Sequence, residues 1–184
     1  GTSMPPCDLN AVRMYRLNRV RTELAKRDLS GIILYDQLNT RYTCDATNMQ
    51  IWCSHNEERY LYVPTEGSVV LFDNGGKDIL CEGLPTIDET RAPISFSYFS
   101  AGVEQASRAR EWAVDIDGVM GAHNGRNKRI AIDRIAPFGV QELERLGYHI
   151  YDGFDVMETA RQIKSDGEIQ LMKRSIEVCE QAIG

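Results

Sequence analysis

Stretches of apolar and polar residues divide the chain into short buried strands and amphipathic helices. Apolar side chains recur at three- and four-residue steps between Leu17 and Leu24, which predicts a helix over residues 8–27. The apolar run of residues 31–36 is too short for a helix and is typical of a buried strand. Further strands are predicted at 58–63, 67–73, 77–81, 94–99, 128–133 and 149–154, and further helices at 103–122 and 137–146.

Turn residues and helix terminators set the order of these elements. Asn74, Gly75 and Gly76 separate two apolar runs, and this favours a hairpin because both turn positions adopt positive φ. Pro137 at the start and Gly147 after the end delimit a short helix. Early antiparallel hairpins followed by β-α-β crossovers predict an α/β fold, a mixed β-sheet flanked by helices.

The last part of the chain has the pattern of a new helix. Ser165 and Glu168 form a capping box. A single apolar stripe follows, made of Ile169, Met172, Ile176, Cys179 and Ile183. Because such a stripe needs a surface to cover, we expect an α/β domain over residues 8–160 and a linker helix over 161–184 that leads into a further domain. The alternative is a terminal helix that docks on its own domain.

Composition narrows the function classes. Apolar residues make up 42% of the chain and charged residues 26%, as in ordinary globular domains. The net charge of -6 offers no electrostatic footprint for nucleic acid, and no apolar run approaches the roughly 20 residues of a membrane span. Five widely spread cysteines are typical of reduced thiols in a cytoplasmic protein, and the three histidines lack metal-ligand spacing. We therefore expect no nucleic-acid partner, no membrane and no cofactor within this chain.

The polar connection at residues 37–57 is the strongest candidate for a functional segment. It follows a buried strand, where α/β folds place their sites, and it is long for a connection. An aromatic wall and hydrogen-bond donors for a small ligand come from five residues, Arg41, Tyr42, Asn48, Trp52 and His55. The alternative is that Tyr42 and Trp52 only anchor the connection on the sheet.

Other candidate chemistry is weak. The spacing of Gly118, Gly121 and Gly125 fits neither a Walker nor a dinucleotide-binding motif, and no Gly-x-Ser-x-Gly nucleophile occurs. Asp133 ends a strand before Arg134 and either orients a loop or is a purely structural charge. We therefore expect no catalytic residue in this chain.

Two segments resemble a known family. The motif Asn39-x-Arg41-Tyr42, with the connection through Trp52, resembles the N-terminal domain of the creatinase, prolidase and Xaa-Pro aminopeptidase family. The stretch RQIKSDGEIQLM, from Arg161 to Met172, is similar to the junction where that family enters its catalytic pita-bread domain, although Ser175 stands where the family often has Ala. Residues 39–52 are most similar to the branch that contains dimethylsulfoniopropionate lyases.

The resemblance implies a ribonuclease H-like domain whose partners are its own C-terminal catalytic domain and a second copy in a homodimer. The family's five metal ligands lie in that catalytic domain, so a divalent metal pair is expected there and no metal ligand here. The loop of one N-terminal domain would close the partner's active site. Trp52, Asn48 and His55 would then contact the substrate, a small peptide or a small cation that an aromatic face attracts.

The sequence is compatible with three functions. The chain is the non-catalytic N-terminal domain of a metal-dependent hydrolase of the Xaa-Pro aminopeptidase type, or the same domain of a dimethylsulfoniopropionate lyase. The third possibility is a peptide- or protein-binding module without catalysis, as in the histone-chaperone relatives of the family. The isolated chain is not expected to be an enzyme under any of the three.

Overall fold

A six-stranded mixed sheet organises the part of the chain that the computed structural model describes, residues 9–44, 59–74, 83–97, 102–162 and 173–174. Its strands lie in the order β4-β3-β2-β1-β5-β6. The pairs β1–β2 and β2–β3 are antiparallel, and β1–β5, β3–β4 and β5–β6 are parallel. The strands are β1 (Gly31–Leu34), β2 (Tyr60–Pro64), β3 (Val70–Phe72), β4 (Glu89–Arg91), β5 (Arg129–Ile132) and β6 (His149–Asp152).

Within the described ranges up to residue 162, five α-helices cover the two faces of this sheet: α1 (Leu9–Lys26), α2 (Gln37–Cys44), α3 (Gln105–Asn124), α4 (Pro137–Arg145) and α5 (Gly153–Gln162). One apolar core joins α1, α2 and α5 to one face, and a second joins α3 and α4 to the other. Within β1, Ile32 and Leu34 enter the first core and Ile33 the second, because successive strand residues point to opposite faces. The predicted α/β class with a mixed sheet is confirmed.

The prediction of a strand at 94–99 is wrong for residues 94–97, which are not in a strand. The strand that precedes this segment and forms one edge of the sheet is β4, whose polar sequence has no apolar alternation. Ile94 and Phe96 pack into the core on one face, and the Ile94 N–H donates to the hydroxyl of Tyr60 at 3.1 Å. A side chain thus satisfies this backbone group in place of a sheet neighbour.

Two helices were not predicted. The expected irregular connection contains α2, and the last strand ends at Asp152 rather than at residue 154 because α5 begins there. Both helices start at an aspartate cap: Asp36 Oδ1 accepts from the backbone N–H of Leu38 at 2.9 Å, and Asp152 Oδ1 accepts from that of Phe154 at 2.9 Å. Capping chemistry and polar packing, rather than an apolar stripe, define α2.

Several predicted features lie outside the described residues. These are Gly75, Gly76 and the strand at 77–81, and all of the linker helix except 161–162, at the end of α5, and 173–174, which are helical. The division of the chain at residue 160 therefore stays a prediction.

A buried ion cluster joins α1 to α5. The Glu23 side chain is 2% exposed and accepts from Arg19 and Arg27, each at 3.1 Å, and lies 3.4 Å from Lys26. Burial disfavours its charge, but the hydrogen bonds from these three cations outweigh that effect and lower the pKa of Glu23 below its usual value. Arg27 also contacts Asp155 of α5 at 3.3 Å.

Glu23→Gln should destabilise the protein by about 1–2 kcal/mol at pH 7. Because the folded-state pKa is lowered, the stabilisation by Glu23 is present above the unfolded-state pKa and is lost as pH falls through the folded-state value. Urea unfolding of both proteins at pH 7 and pH 3 should therefore show the difference in unfolding free energy shrinking at the lower pH. A difference that is constant across this range would contradict the assigned ionisation.

Gly153, at the start of α5, leaves no room for a side chain. A Cβ atom there would lie 2.6 Å from Asp133 N and 2.7 Å from the carbonyl carbon of Ile132, both rigid backbone atoms. Gly153→Ala should therefore destabilise by about 2 kcal/mol or more in thermal or urea unfolding. The matched control is Gly118→Ala in α3, where a Cβ meets nothing within 4 Å. That variant should be stabilised by about 0.5–1 kcal/mol, and equal effects at both sites would refute the packing argument.

Candidate functional site

The carboxyl ends of β1 and β5 form the crevice in which an α/β sheet usually binds ligands. The chain leaves β1 toward α2 on one face and leaves β5 toward α4 on the other, which makes this pair of parallel strands a topological switch point. An open pocket of about 600 Å³ lies here. Its lining consists of Tyr35, Ile94, Ser95, Phe96, Ser97, Asp133, Arg134, Ile135 and Ala136.

The carboxylate of Asp133 accepts hydrogen bonds from both loops of the crevice, the one after β1 and the one after β5. Oδ1 accepts from the backbone N–H of Tyr35 and from that of Arg134, each at 2.7 Å. Oδ2 accepts from the backbone N–H of Asp36 and from Asn39 Nδ2, each at 3.0 Å. Burial raises the pKa of Asp133, and these hydrogen bonds work in the opposite direction. Of the two alternatives left by the sequence, the structure favours orientation of the loop after β5, and it shows that Asp133 also orients the loop after β1.

Aromatic rings form the apolar wall of the pocket. The Tyr35 ring stacks on Tyr60 with centroids 5.0 Å apart, and Tyr60 stacks on Phe72 at 4.5 Å. Phe96 packs at 5.0 Å against Trp112, which is fully buried. Burial of the Tyr35 hydroxyl raises its pKa well above the usual value, so the group is a neutral phenol. Such a wall can hold the apolar body of a small molecule.

Sequence reasoning did not identify this pocket. Its lining residues lie partly in the segment 94–99, which was predicted as a strand, and partly at or just after the ends of the strands predicted at 31–36 and 128–133. Arg134 supplies its positive charge, with Nε 3.6 Å from Asp36 Oδ2 and a largely exposed side chain. Only the rule that parallel strands place their carboxyl ends together could have brought Tyr35 and Arg134 into one site.

The residues predicted to contact substrate divide into two groups. Arg41 and Tyr42 lie in the second half of α2, and both are half-buried. Asn48, Trp52 and His55 lie outside the described residues. The structure therefore brings Arg41 and Tyr42 to the helix that follows β1, and the substrate role of all five stays a prediction.

Tyr42 attaches α2 to two other helices. Its hydroxyl donates to the backbone oxygen of Ala160 at 3.2 Å. The guanidinium carbons of Arg16 and Arg161 lie 5.6 Å and 5.7 Å from the centre of its ring, within the range of a cation–π contact. Arg161 Nη2 also donates to Asn39 Oδ1. Tyr42 thus joins α1, α2 and α5, which is a broader anchor than attachment to the sheet alone.

No group of three or more His, Cys, Asp or Glu side chains within the described ranges could hold a metal ion. None of the helices in the same ranges combines the length and the apolar character that crossing a bilayer requires.

Asp133→Asn tests the role of the carboxylate. The amide relieves the buried charge, but two of the four donors then face an N–H₂ group, so we expect a net loss of about 2–4 kcal/mol in urea unfolding. Asp152→Asn is the matched control, because that exposed carboxylate caps a single backbone N–H and should cost less than about 1 kcal/mol. A neutral effect of Asp133→Asn would show that the charge penalty equals the hydrogen-bond gain.

Comparison with known proteins gives relatives in both sequence and fold. No protein-family model matches the chain. Over 183 residues, 100% of the chain, it is 33% identical to the dimethylsulfoniopropionate lyase DddP of Roseovarius nubinhibens, and it spans 41% of the length of that lyase. The fold matches the dipeptidase PepE from Mycobacterium ulcerans with a TM-score of 0.55 and 17% identity, over 90% of this chain and 40% of PepE.

A second structural relative corresponds to a single domain. The N-terminal domain of the cytoplasmic peptidase PepQ from Mycobacterium tuberculosis H37Rv matches with a TM-score of 0.51 and 14% identity, over 79% of this chain and 97% of that domain. Sequence and fold together confirm the resemblance to the creatinase, prolidase and Xaa-Pro aminopeptidase family: the chain has the α/β fold of that family's N-terminal domains and matches the dimethylsulfoniopropionate lyase branch in sequence.

Proposed function

We propose that this chain is the non-catalytic N-terminal domain of a metal-dependent dimethylsulfoniopropionate lyase of the DddP type. The observation that carries the proposal is the 33% identity to DddP over the whole chain, against 17% to the dipeptidase with the same fold. The domain's own part would be to supply a substrate-access segment and contacts in a cytoplasmic homodimer. Catalytic groups and a divalent metal pair would lie in a C-terminal domain.

The chemistry of the substrate fits an aromatic access segment. Dimethylsulfoniopropionate carries a sulfonium cation and a carboxylate. A lyase would take the proton beside the carboxylate and break the carbon–sulfur bond, so that dimethyl sulfide and acrylate leave. The face of an aromatic ring attracts such a cation by about 1 kcal/mol, and more where water is excluded. Trp52, with Asn48 and His55 beside it in the sequence, is the residue we assign to this contact.

The described residues support this placement of the segment. Helix α2 begins at the carboxyl edge of the sheet and ends at Cys44, four residues before Asn48 in the sequence. Thr86 fixes the last turn of α2, since its hydroxyl donates to the backbone oxygen of Cys44. The segment therefore starts from a buried point of the domain, since Cys44 is 1% exposed and Thr86 is fully buried, and a fixed start restricts where its following residues can lie.

The hydrolase alternative rests on the fold, because the structural relatives are peptidases. The protein made from the complete gene should release dimethyl sulfide from dimethylsulfoniopropionate, measured by gas chromatography, and should lose this activity to a chelator. Hydrolysis of Xaa-Pro dipeptides without dimethyl sulfide release would favour the hydrolase. Neither activity in the metal-loaded protein would favour the binding module.

Trp52→Ala in that complete protein should raise KM by about tenfold and leave the metal content unchanged, because a cation contact is lost remote from the metal ligands. Steady-state kinetics and elemental analysis measure the two effects. Trp52→Phe keeps an aromatic face and is the matched control, with a KM closer to that of the wild type. Wild-type kinetics in Trp52→Ala would show that Trp52 does not contact the substrate.

A further inference from the structure

The last turn of α5 is bonded to α2, the helix from which the proposed access segment continues. Arg161 Nη2 donates to Asn39 Oδ1, and the Arg161 guanidinium lies over the ring of Tyr42. The Tyr42 hydroxyl returns a hydrogen bond to the backbone oxygen of Ala160. Three contacts therefore join two consecutive residues of α5 to one face of α2.

Helix α2 is held to the rest of the domain by hydrogen bonds near both of its ends. Asn39 is 1% exposed, and its amide nitrogen is bonded to Asp133, which also binds the backbone after β1. Thr86 holds the other end of α2. In the last turn of α5, Ala160 is fully buried, Arg161 is half-buried and Gln162 is exposed, so contact with α2 is confined to the first two of these residues.

We propose that Arg161 is a positioning residue that fastens the segment leaving the domain to α2. The catalytic domain to which that segment would lead, and the access segment that follows α2, then keep one relative position. This inference rests on the proposed function, because only a following catalytic domain gives the position a consequence for substrate.

An arginine suits this position for three reasons. Its fork can bond the Asn39 oxygen while the planar cation lies over Tyr42. Its charge also lies in the last turn of α5, where the helix dipole favours a cation. Lysine would keep the charge and the contact with the ring but would lose the fork, so it should restore part of the effect.

The test compares Arg161→Met, Arg161→Lys and a control in the complete protein. Arg161→Met should raise KM for dimethylsulfoniopropionate by about tenfold, because fewer molecules hold the binding geometry, with kcat changed by less than about twofold. Arg161→Lys should fall between this variant and the wild type. The control, Arg145→Met, removes an exposed arginine that pairs with Glu142 on its own helix, and should behave as wild type.

Amide hydrogen exchange on the 184-residue chain tests the contact without any activity. In Arg161→Met, amides at residues 158–162 should exchange faster, while those of α2 and α3 remain as in the wild type. Unchanged exchange at 158–162 overturns the proposal.

The kinetic outcomes separate this inference from the proposed function. A folded Arg161→Met protein with wild-type KM overturns the positioning role, as does a loss of kcat and melting temperature at constant KM, which reports lost folded enzyme. If the wild-type protein does not cleave dimethylsulfoniopropionate, the proposed function fails. The exchange result then decides alone whether Arg161 fastens α5 to α2.

Discussion

The buried carboxylate of Asp133 is the interaction on which the candidate site depends. It lies where two parallel strands end, and each strand leaves backbone N–H groups there that the sheet no longer satisfies. Four donors converge on its two oxygens: three backbone groups and the Asn39 amide. A neutral acceptor of the same size cannot serve four donors, because each amide or hydroxyl also presents hydrogens. The cost of burying a charge, visible in the raised pKa, is offset by fixing both loops of the crevice at once.

The backbone at the end of β5 also limits how closely helix α5 approaches the sheet. Helix α5 starts against the end of β5, where only a glycine fits beside the backbone of Asp133. Helix α2 starts at Asp36, whose own carboxylate caps the helix while its N–H binds Asp133. Both helices therefore take their position from the two strand ends. The pocket, the start of α2 and the start of α5 therefore all adjoin the carboxyl ends of β1 and β5.

The sequence predicted those parts of the fold that burial alone determines. Strand β1 is buried on both sides and reads as an uninterrupted apolar run, and α4 lies between a proline and a glycine. Prediction from the sequence failed for the elements whose position depends on polar interactions. Strand β4 has the sequence Glu-Thr-Arg and no apolar alternation, and α2 buries Asn39, Thr40 and Thr43, residues whose usual place is a turn. Threonine hydroxyls in α2 bond backbone oxygens four residues earlier, so the helix satisfies them internally.

The two segments that suggested the family are far apart in sequence but meet at one side chain. Asn39 accepts from Arg161 and donates to Asp133, so its amide serves two partners of opposite character, a cation and an anion. An aspartate would repel Asp133, and an aliphatic residue would cost the buried carboxylate one of its four donors and the guanidinium its acceptor in α2. Among short side chains, only an amide carries a donor and an acceptor at fixed positions. The pairing of Asn39 with Arg161 across 122 residues therefore follows from the chemistry of one buried contact, and it joins the first residue of the motif after β1 to the first residue of the motif at the end of α5.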